Sequence, residues 1–488
     1  MHFQRFYDVK LAQASYLIGC QATGEAIVVD PNRDVDQYVD AAAAQGFRVT
    51  HVTETHIHAD FVSGARELAA RTGAQLLLSG EGGPEWRYAY AGESHARLLR
   101  DGDTFRVGNI ELEVMHTPGH TPEHLSFLVT DGAAIAGPWG ILTGDFVFVG
   151  DVGRPDLLER AAGYAGTMEA AARTLHRALQ RFRTLPDHLQ VWPGHGAGSA
   201  CGKALGAMPS STVGYEKRAN WGLADLDEAT FVGLVLEGQP EPPRYFAEMK
   251  RINRDGPRVL GGLPRPVHLP AHALAPLVSA EEIVVDTRSA AQYAAEHVPG
   301  TLNIPLDGSF TTWAGWLLPY DRDIHLLVDS AACAHCVDAA VRDLAMIGLD
   351  RVRGVLGAES IAEWGRMAPL TTVRQTTPRE AAESIGRGEA VLVDVRGRAE
   401  WEAAHPAGAT NIPLGHLVDR RDELPRHRSI IVQCGTGARS AIAASVLERL
   451  GITRVANLVG GMAAWERAGL DVEGPDARRA GAPALAVA

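Results

Sequence analysis

The sequence predicts an α/β protein made of one large N-terminal domain and two small repeated ones. Three observations carry this. From residue 1 to about 250, short apolar runs alternate with helical stretches, as in AIVVD (26–30), VDQYVDAAAAQG, VTHVTETH and SGARELAARTG. Around 254–270 the text turns into NRDGPRVLGGLPRPVHLP, rich in Gly, Pro and Arg, the composition of an extended linker. Beyond it the chain repeats itself: IVVDTRSAAQYAAEHVPGTLNIPL (283–306) matches VLVDVRGRAEWEAAHPAGATNIPL (391–414) almost position for position.

The bulk properties agree with this division. A chain of 488 residues is too long for one hydrophobic core. Its 46% apolar and 22% charged residues are ordinary globular usage. A formal charge of −13 argues against a general nucleic-acid binder, which needs clustered Lys and Arg, and against docking on an anionic membrane. MHFQRFYDVKLAQASYLIG lacks the basic-then-apolar order of a signal peptide, and no run approaches ~18 apolar residues, so a cytoplasmic protein is expected. Five cysteines make no disulfide framework, and the odd count leaves at least one free thiol.

Residues 1–253 are taken as the first domain. Four of its segments put a metal-ligating side chain beside Gly or Pro, in loops next to strands: THIHAD (55–60), TPGHTPEH (117–124), LTGDFVFVGDVGRP (142–155) and VWPGHG (191–196). Loops at strand ends can converge on one point. The four segments, in this order, resemble the metallo-β-lactamase superfamily, which implies an αββα sandwich and a metal held by His56, His120 and Asp145. The superfamily's hydrolases usually write HxHxDH, where the Asp and the last His serve a second metal. Here Phe61 follows Asp60, so one ligand of that second site is missing and a single metal is expected. Two histidines and one carboxylate with open positions is the arrangement of non-haem Fe(II) oxygenases, although the same donors suit Zn²⁺ with a water.

GDFVFVGDVGRPDL resembles persulfide dioxygenases in particular. By that resemblance Arg154 binds a carboxylate of the thiol cofactor, the alternative being a surface salt bridge. His58 is then expected beside the metal, in a supporting or proton-transfer role, and not on it. Asp60 and His195, second-metal ligands in hydrolases, are expected to orient water or loops. Cys201, in HGAGSACGKALG, has small neighbours that would give a thiol access, and is either a sulfur-handling group or an inert loop residue. His124 is left open between structure and function. His51, His95, His116 and Cys20 are read as structural.

The linker, 254–270, leads to the repeats, taken as 271–372 and 373–475. In the second, the strand SIIVQC delivers Cys434 into a six-residue loop, Gly435, Thr436, Gly437, Ala438 and Arg439 following, that closes at a helix start. Inward backbone N–H groups and a helix N-terminus lower a thiol pKa and can hold an anionic persulfide, and Arg439 adds charge. With DVR (394–396) and NIPL (411–414), this resembles rhodanese sulfurtransferases over about 374–470; AHPAGA (404–409) departs from the family's usual GHIPGA at a structural turn. Dual-specificity phosphatases share the cradle but with a longer loop. In the first repeat Ser330 stands in the place of Cys434 and His335 in that of Arg439, so this copy looks degenerate: a spacer, docking surface or thiol-binding platform. Its CAHC holds Cys333 and Cys336, which lack partners for a zinc site and are read as loop residues in preference to a redox pair. The tail, 476–488, is expected to be disordered.

Taken whole, the chain resembles the multidomain persulfide dioxygenase–sulfurtransferase fusions. The resemblance implies oxidation of a low-molecular-weight persulfide by O2 at mononuclear Fe(II), giving sulfite and thiol in sulfide detoxification. The Cys434 persulfide would make or use thiosulfate, and the co-substrate would be a small thiol such as glutathione or coenzyme A. The rivals are a thioester hydrolase of the glyoxalase II type, acting through metal-bound hydroxide, and a sulfur relay with an inactive metal domain. A homodimer or homotetramer is expected by analogy alone.

Overall fold

The computed structural model describes residues 1–475 apart from Ile135, 161–165, Ala204, Pro240 and 331–332; the tail expected to be disordered lies outside them. The chain divides into two compact units. Met1–Pro264 with Arg342–Leu349 form one, and Arg265–Val341 with the chain from Asp350 on form the other.

The first unit is a four-layer sandwich, and its strands show why. One sheet contains β1 (His2–Asp8), β2 (Gln13–Cys20), β3 (Glu25–Val29), β4 (Arg48–Thr53), β5 (Gln75–Ser79) and β6 (Arg97–Leu99) in that spatial order. The other runs β12 (Ser211–Thr212), β11 (Gln190–Pro193), β10 (Gly140–Gly144), β9 (Leu125–Asp131), β8 (Ile110–His116), β7 (Thr104–Val107). Successive side chains of a strand point to opposite faces. In β2 and β3, Tyr16, Ile18, Ile27 and Val29 meet Leu112, Val114, Phe127 and Trp192 of the second sheet in one core. Their neighbours Leu17, Ala26 and Val28 face the other way, onto Tyr38 and Ala42 of the helix Asp36–Ala44 and Leu68 of the helix Ala65–Thr72. The second sheet is covered likewise by the helix Met168–Arg183, whose Ala172, Leu175, Leu179 and Phe182 recur at helical spacing and are buried. Both faces of both sheets are therefore apolar, which demands helices outside and sheet against sheet inside.

In the second unit the two sequence repeats form two parallel five-stranded sheets of identical connectivity. The first has the order β13 (Val267–His268), β17 (Val352–Gly357), β16 (Ile324–Val328), β14 (Ile283–Asp286), β15 (Leu302–Asn303). The second has β18 (Arg374–Thr376), β23 (Val455–Leu458), β22 (Ser429–Gln433), β19 (Ala390–Asp394), β21 (Thr410–Asn411). A small ladder of β20 (His405–Pro406) and β24 (Val472–Glu473) closes the far side of the second copy.

The letters the repeats share build one corner twice. Arg288 donates through Nε and Nη2 to the carboxylate of Asp286, and Arg396 does the same to Asp394. The Asn of each NIPL then donates to the two backbone carbonyls flanking that turn, Asn303 to Asp286 and Arg288, Asn411 to Asp394 and Arg396. Asp394 is fully buried, so its charge is tolerable only with its arginine present. Arg396→Met is therefore expected to destabilise this unit by about 3–5 kcal/mol, and adding Asp394→Leu to recover much of the loss. Urea unfolding monitored by tryptophan fluorescence measures both; a double variant no better than the single one would contradict the account.

Candidate functional site

The four motif loops of the first unit all hang from strand ends. THIHAD follows β4, TPGHTPEH joins β8 to β9, Asp145 follows β10 and His195 follows β11. β10 and β11 are parallel, so their C-terminal ends lie side by side and bring Asp145 next to His195. Backbone approach at this point is so close that a Cβ on Gly194 would sit 2.8 Å from Asp145 Oδ1, and one on Gly153 would overlap the Asp145 carbonyl.

His56, His120 and Asp145 are buried together, with their ligand atoms all within 4.8 Å of one another. Asp145 Oδ2 lies 3.5 Å from His120 Nε2 and 3.9 Å from His56 Nε2. Each imidazole is turned by its other nitrogen. His120 Nδ1 donates to the Arg154 carbonyl at 3.0 Å. His56 Nδ1 donates to Thr55 Oγ1 at 3.0 Å, because that hydroxyl gives its own proton to Asp30. Both Nε2 lone pairs therefore face the centre. Burial, then the neighbouring imidazoles of His58 and His120, depress His56 well below its ordinary pKa, so it is a neutral ligand. For Asp145 burial opposes charge, but His195, His120 and His58 outweigh it and hold the carboxyl below its usual value.

His56 Nε2 and both carboxylate oxygens of Asp145 have no hydrogen-bond partner. A buried carboxylate left in that state is costly, and a bound cation is what the arrangement lacks. The donors fit a divalent metal: neutral imidazoles, an ionised carboxylate and orphaned ligand atoms converging on one point.

A second group stands beside the first. Asp60, His195 and Cys201 are also buried with ligand atoms within 4.8 Å. His195 Nε2 is 3.2 Å from Asp60 and 3.4 Å from Asp145 Oδ1, while its Nδ1 donates to the Ala12 carbonyl. The two oxygens of Asp145 thus face two different donor sets. Phe61 supplies no ligand, its buried ring packing on His58 at 4.4 Å, but Cys201 brings a third donor from far along the chain, which the sequence reading did not foresee. Nor is Cys201 accessible as expected: it is 1% exposed, and burial with the Asp145 and Asp60 carboxylates pushes its thiol well above the ordinary range.

His58 stands outside both groups. Its Nε2 pairs with Asp30 at 3.1 Å; burial works against its charge, but Asp30, Glu54 and Asp60 overcome it and raise the pKa to about 9. His124 holds Asp145 from behind, its Nε2 accepting the Asp145 backbone N–H at 3.0 Å and its Nδ1 meeting Thr117 Oγ1. Arg154 corrects both sequence readings. It is fully buried, forked onto Asp156 at 2.8 Å twice and bonded to the Ala200 carbonyl. Its guanidinium is committed to the loop, neither offered to a substrate carboxylate nor lying on the surface, and its carbonyl orients His120. Sequence reasoning missed Asp30 and Glu123. Asp30 ends the run AIVVD in the left-handed region (φ +51°), and its carboxylate makes three bonds, two to Thr55 and one to His58. Glu123 takes the Ile57 N–H at 2.8 Å and so fixes the segment between His56 and His58.

In the second unit β22 ends at Gln433 and leads directly into Cys434, which is 1% exposed. The Gly437 N–H donates to its sulfur at 3.1 Å, and Ser440 Oγ lies 3.5 Å from it. Gly437 adopts φ +104°, which turns that N–H inward, and the helix Ala438–Arg449 begins at once. Arg439 is not aimed at the sulfur: both terminal guanidinium nitrogens donate to Glu400, at 2.6 and 2.7 Å. Beside the loop a cavity of about 490 Å³ opens between the repeats, with Arg439, Ile442, Thr287, Ser289 and Trp313 among its lining.

The sandwich with its convergent candidate metal donors and the separate cysteine loop can each be set against known families. Residues 9–195 match the metallo-beta-lactamase superfamily, and residues 377–468 the rhodanese-like domain. A crystal structure of a metallo-beta-lactamase from Staphylococcus aureus subsp. aureus COL shares 43% identity, covering 73% of this chain and 98% of that one, with a TM-score of 0.65. The chain belongs to the metallo-β-lactamase superfamily and carries a rhodanese-like domain in its C-terminal part. The beta-lactamase hydrolase-like protein of Xylella fastidiosa (strain 9a5c) is 31% identical over 288 residues, 54% of this chain and 61% of that protein. The hydroxyacylglutathione hydrolase of Rhodospirillum rubrum is 30% identical over 185 residues, 37% of this chain and 60% of that protein. This chain thus spans about three-fifths of the length of each of these two relatives. Among the described residues no helix is long and apolar enough to cross a membrane.

Glu123 gives the centre a measurable pH signature. Burial raises its pKa from 4.5 to about 7. The folded state therefore binds more protons than the unfolded one between those values, and stability falls as pH rises through that window. In the metal-free protein, Glu123→Gln keeps an acceptor for Ile57 and is expected to remove a fall of about 2–3 kcal/mol between pH 4.5 and 7.5. Thermal unfolding of both proteins across that range checks it; parallel profiles would refute the assignment.

Proposed function

We propose that this chain oxidises a low-molecular-weight thiol persulfide with O2, releasing sulfite and thiol, at one Fe(II) held by His56, His120 and Asp145. The balance is RSSH + O2 + H2O → RSH + SO3²⁻ + 2H⁺. The observation that carries the reading is the pair of imidazoles and single carboxylate with orphaned ligand atoms, in one chain with a rhodanese-type cysteine loop. Iron in such a set supplies open positions for O2 and a thiolate-like substrate. The residues around it orient ligands and hold protons. Asp30, through Thr55, fixes the His56 ring; the Arg154 carbonyl fixes His120; His124 fixes Asp145. His58, kept charged by Asp30, holds a proton beside the centre. The thiol is a small one such as glutathione or coenzyme A.

Cys434 carries sulfane sulfur as a persulfide: Cys434–S–S⁻ + SO3²⁻ → Cys434–S⁻ + S2O3²⁻, or the reverse. The Gly437 N–H and the helix start behind it favour the anion. The first repeat, with the same strand order, serves as a degenerate rhodanese domain. Keeping both sites on one chain holds a reactive sulfur species at high local concentration.

A second reading, a thioester hydrolase with two metals, is favoured by the Asp60/His195/Cys201 set and by the similarity to a hydroxyacylglutathione hydrolase. The two separate experimentally. Anaerobic purification is expected to give about one iron per chain, with O2 uptake on glutathione persulfide and neither in His120→Ala. Absence of iron and O2 uptake, with thioester cleavage instead, would sink the dioxygenase. Cys434→Ser should abolish thiosulfate formation while leaving O2 uptake within about twofold, since the metal donors lie in the other unit. Phe61→His should raise occupancy of the second metal position, read by metal analysis.

A further inference from the structure

The first repeat lacks the nucleophile, yet its two cysteines fall at telling places. The strand register sets Val328, not Ser330, level with Cys434, because Asp286 pairs with Leu327 as Asp394 pairs with Gln433, and seven residues then lead from β16 to the next helix where four lead on from β22. Gly437 and Ser440 are the two residues whose N–H and Oγ meet the Cys434 sulfur. The degenerate copy has thus lost the thiol at the centre of the cradle and carries its two cysteines at the helix end of a loop three residues longer. Cys333 and Cys336 are joined as a disulfide, their Cα atoms 5.4 Å apart, just where the helix Cys336–Met346 begins. Both are partly exposed, where Cys434 is 1% exposed.

A structural staple is a poor account of this bond. It closes a ring around only Ala334 and His335, and short rings restrict the unfolded chain least. The second copy joins its strand to its helix through a loop three residues shorter, without a disulfide. Two cysteines separated by two residues at a helix start, partly open to solvent, are instead placed for exchange, because the helix N-terminus favours the thiolate.

We infer that Cys333 and Cys336 are a redox-active dithiol that exchanges with low-molecular-weight thiols and persulfides. The persulfide is the substrate class of the function proposed above, and to that extent the inference rests on it. Starting from the dithiol, the Cys333 thiolate attacks the outer sulfur of RS–SH; that S–S bond breaks, RS⁻ leaves and takes a proton, and Cys333–S–SH remains. The Cys336 thiolate then attacks the inner sulfur of Cys333, closing the disulfide and expelling HS⁻. In sum, two thiols and RSSH give disulfide, RSH and H2S, with two electrons passing from the cysteines to the sulfane sulfur. Two molecules of RSH restore the dithiol and leave as RSSR. The site would return excess persulfide sulfur as sulfide when thiol is abundant.

The test uses the full chain carrying Cys434→Ser, reduced, desalted and held without O2, so that neither oxygenation nor Cys434 transfer contributes. Glutathione persulfide is expected to release about one equivalent of sulfide per chain while two thiols become resistant to alkylation, and glutathione should restore them. Adding Cys333→Ser and Cys336→Ser should abolish the release. Cys336→Ser alone should instead trap one extra sulfur atom on Cys333, seen by mass. Sulfide release undiminished in the double replacement, or a disulfide that glutathione leaves intact, would overturn the inference. Because no iron or O2 takes part, an intact exchange with absent O2 uptake would fail the dioxygenase alone, and the converse would fail this site alone. O2 uptake by Cys333→Ser/Cys336→Ser is expected to match that of the parent.

Discussion

Everything in the first unit is arranged around the buried carboxylate of Asp145. It lies buried just beyond the end of β10 among five imidazoles, those of His56, His58, His120, His124 and His195, with neither oxygen accepting a hydrogen bond. An isolated charge in such a place costs several kcal/mol, and protein groups nearby could have satisfied it. Instead, those groups are used up elsewhere. Thr55 serves Asp30, His124 serves the Asp145 backbone N–H, and Arg154 is forked onto Asp156. The site is built so that only something added from outside completes it.

Holding that state needs rigid supports. The parallel pair β10 and β11 fixes where Asp145 leaves the sheet, and glycines at 153 and 194 let the backbone close over it without a Cβ in the way. Asp30 accepts from Thr55 twice and from His58, so one carboxylate sets the orientation of one ligand and the charge of its neighbour. The opposite protonation of His56 and His58, two residues apart, follows from this difference in partners. Adjacent histidines in THIHAD therefore do unlike work for a local electrostatic reason.

The residues that converge at Asp145 were legible in the sequence because each leaves a local mark: a histidine or aspartate beside Gly or Pro at the end of an apolar run. The repeat was legible for the same kind of reason, since the Asp-x-Arg turn and its Asn act within one short stretch. What escaped reading depends on distance along the chain. Glu123 serves Ile57, Asp30 serves residues 55 and 58, and Cys201 joins Asp60 only through the fold. Arg154 misled for a related reason. A motif reports that an arginine is required, but its partner, two residues on and just as buried, decides whether the guanidinium is free.

The two repeats show which part of such a module resists change. Both copies keep the buried ion pair and the asparagine that define the corner between their central strands, because loss of either partner would leave a charge or carbonyl unpaired in the interior. The loop after β16 or β22 carries no comparable penalty. Its ends are held by the strand before it and the helix after it, so both its side chains and its length can change, from four residues after β22 to seven after β16. That freedom allows one copy to end its strand in a single buried cysteine and the other to carry a disulfide-bonded pair at its helix start. The reactive groups of this unit are thus set by positions that the fold does not need for its own stability.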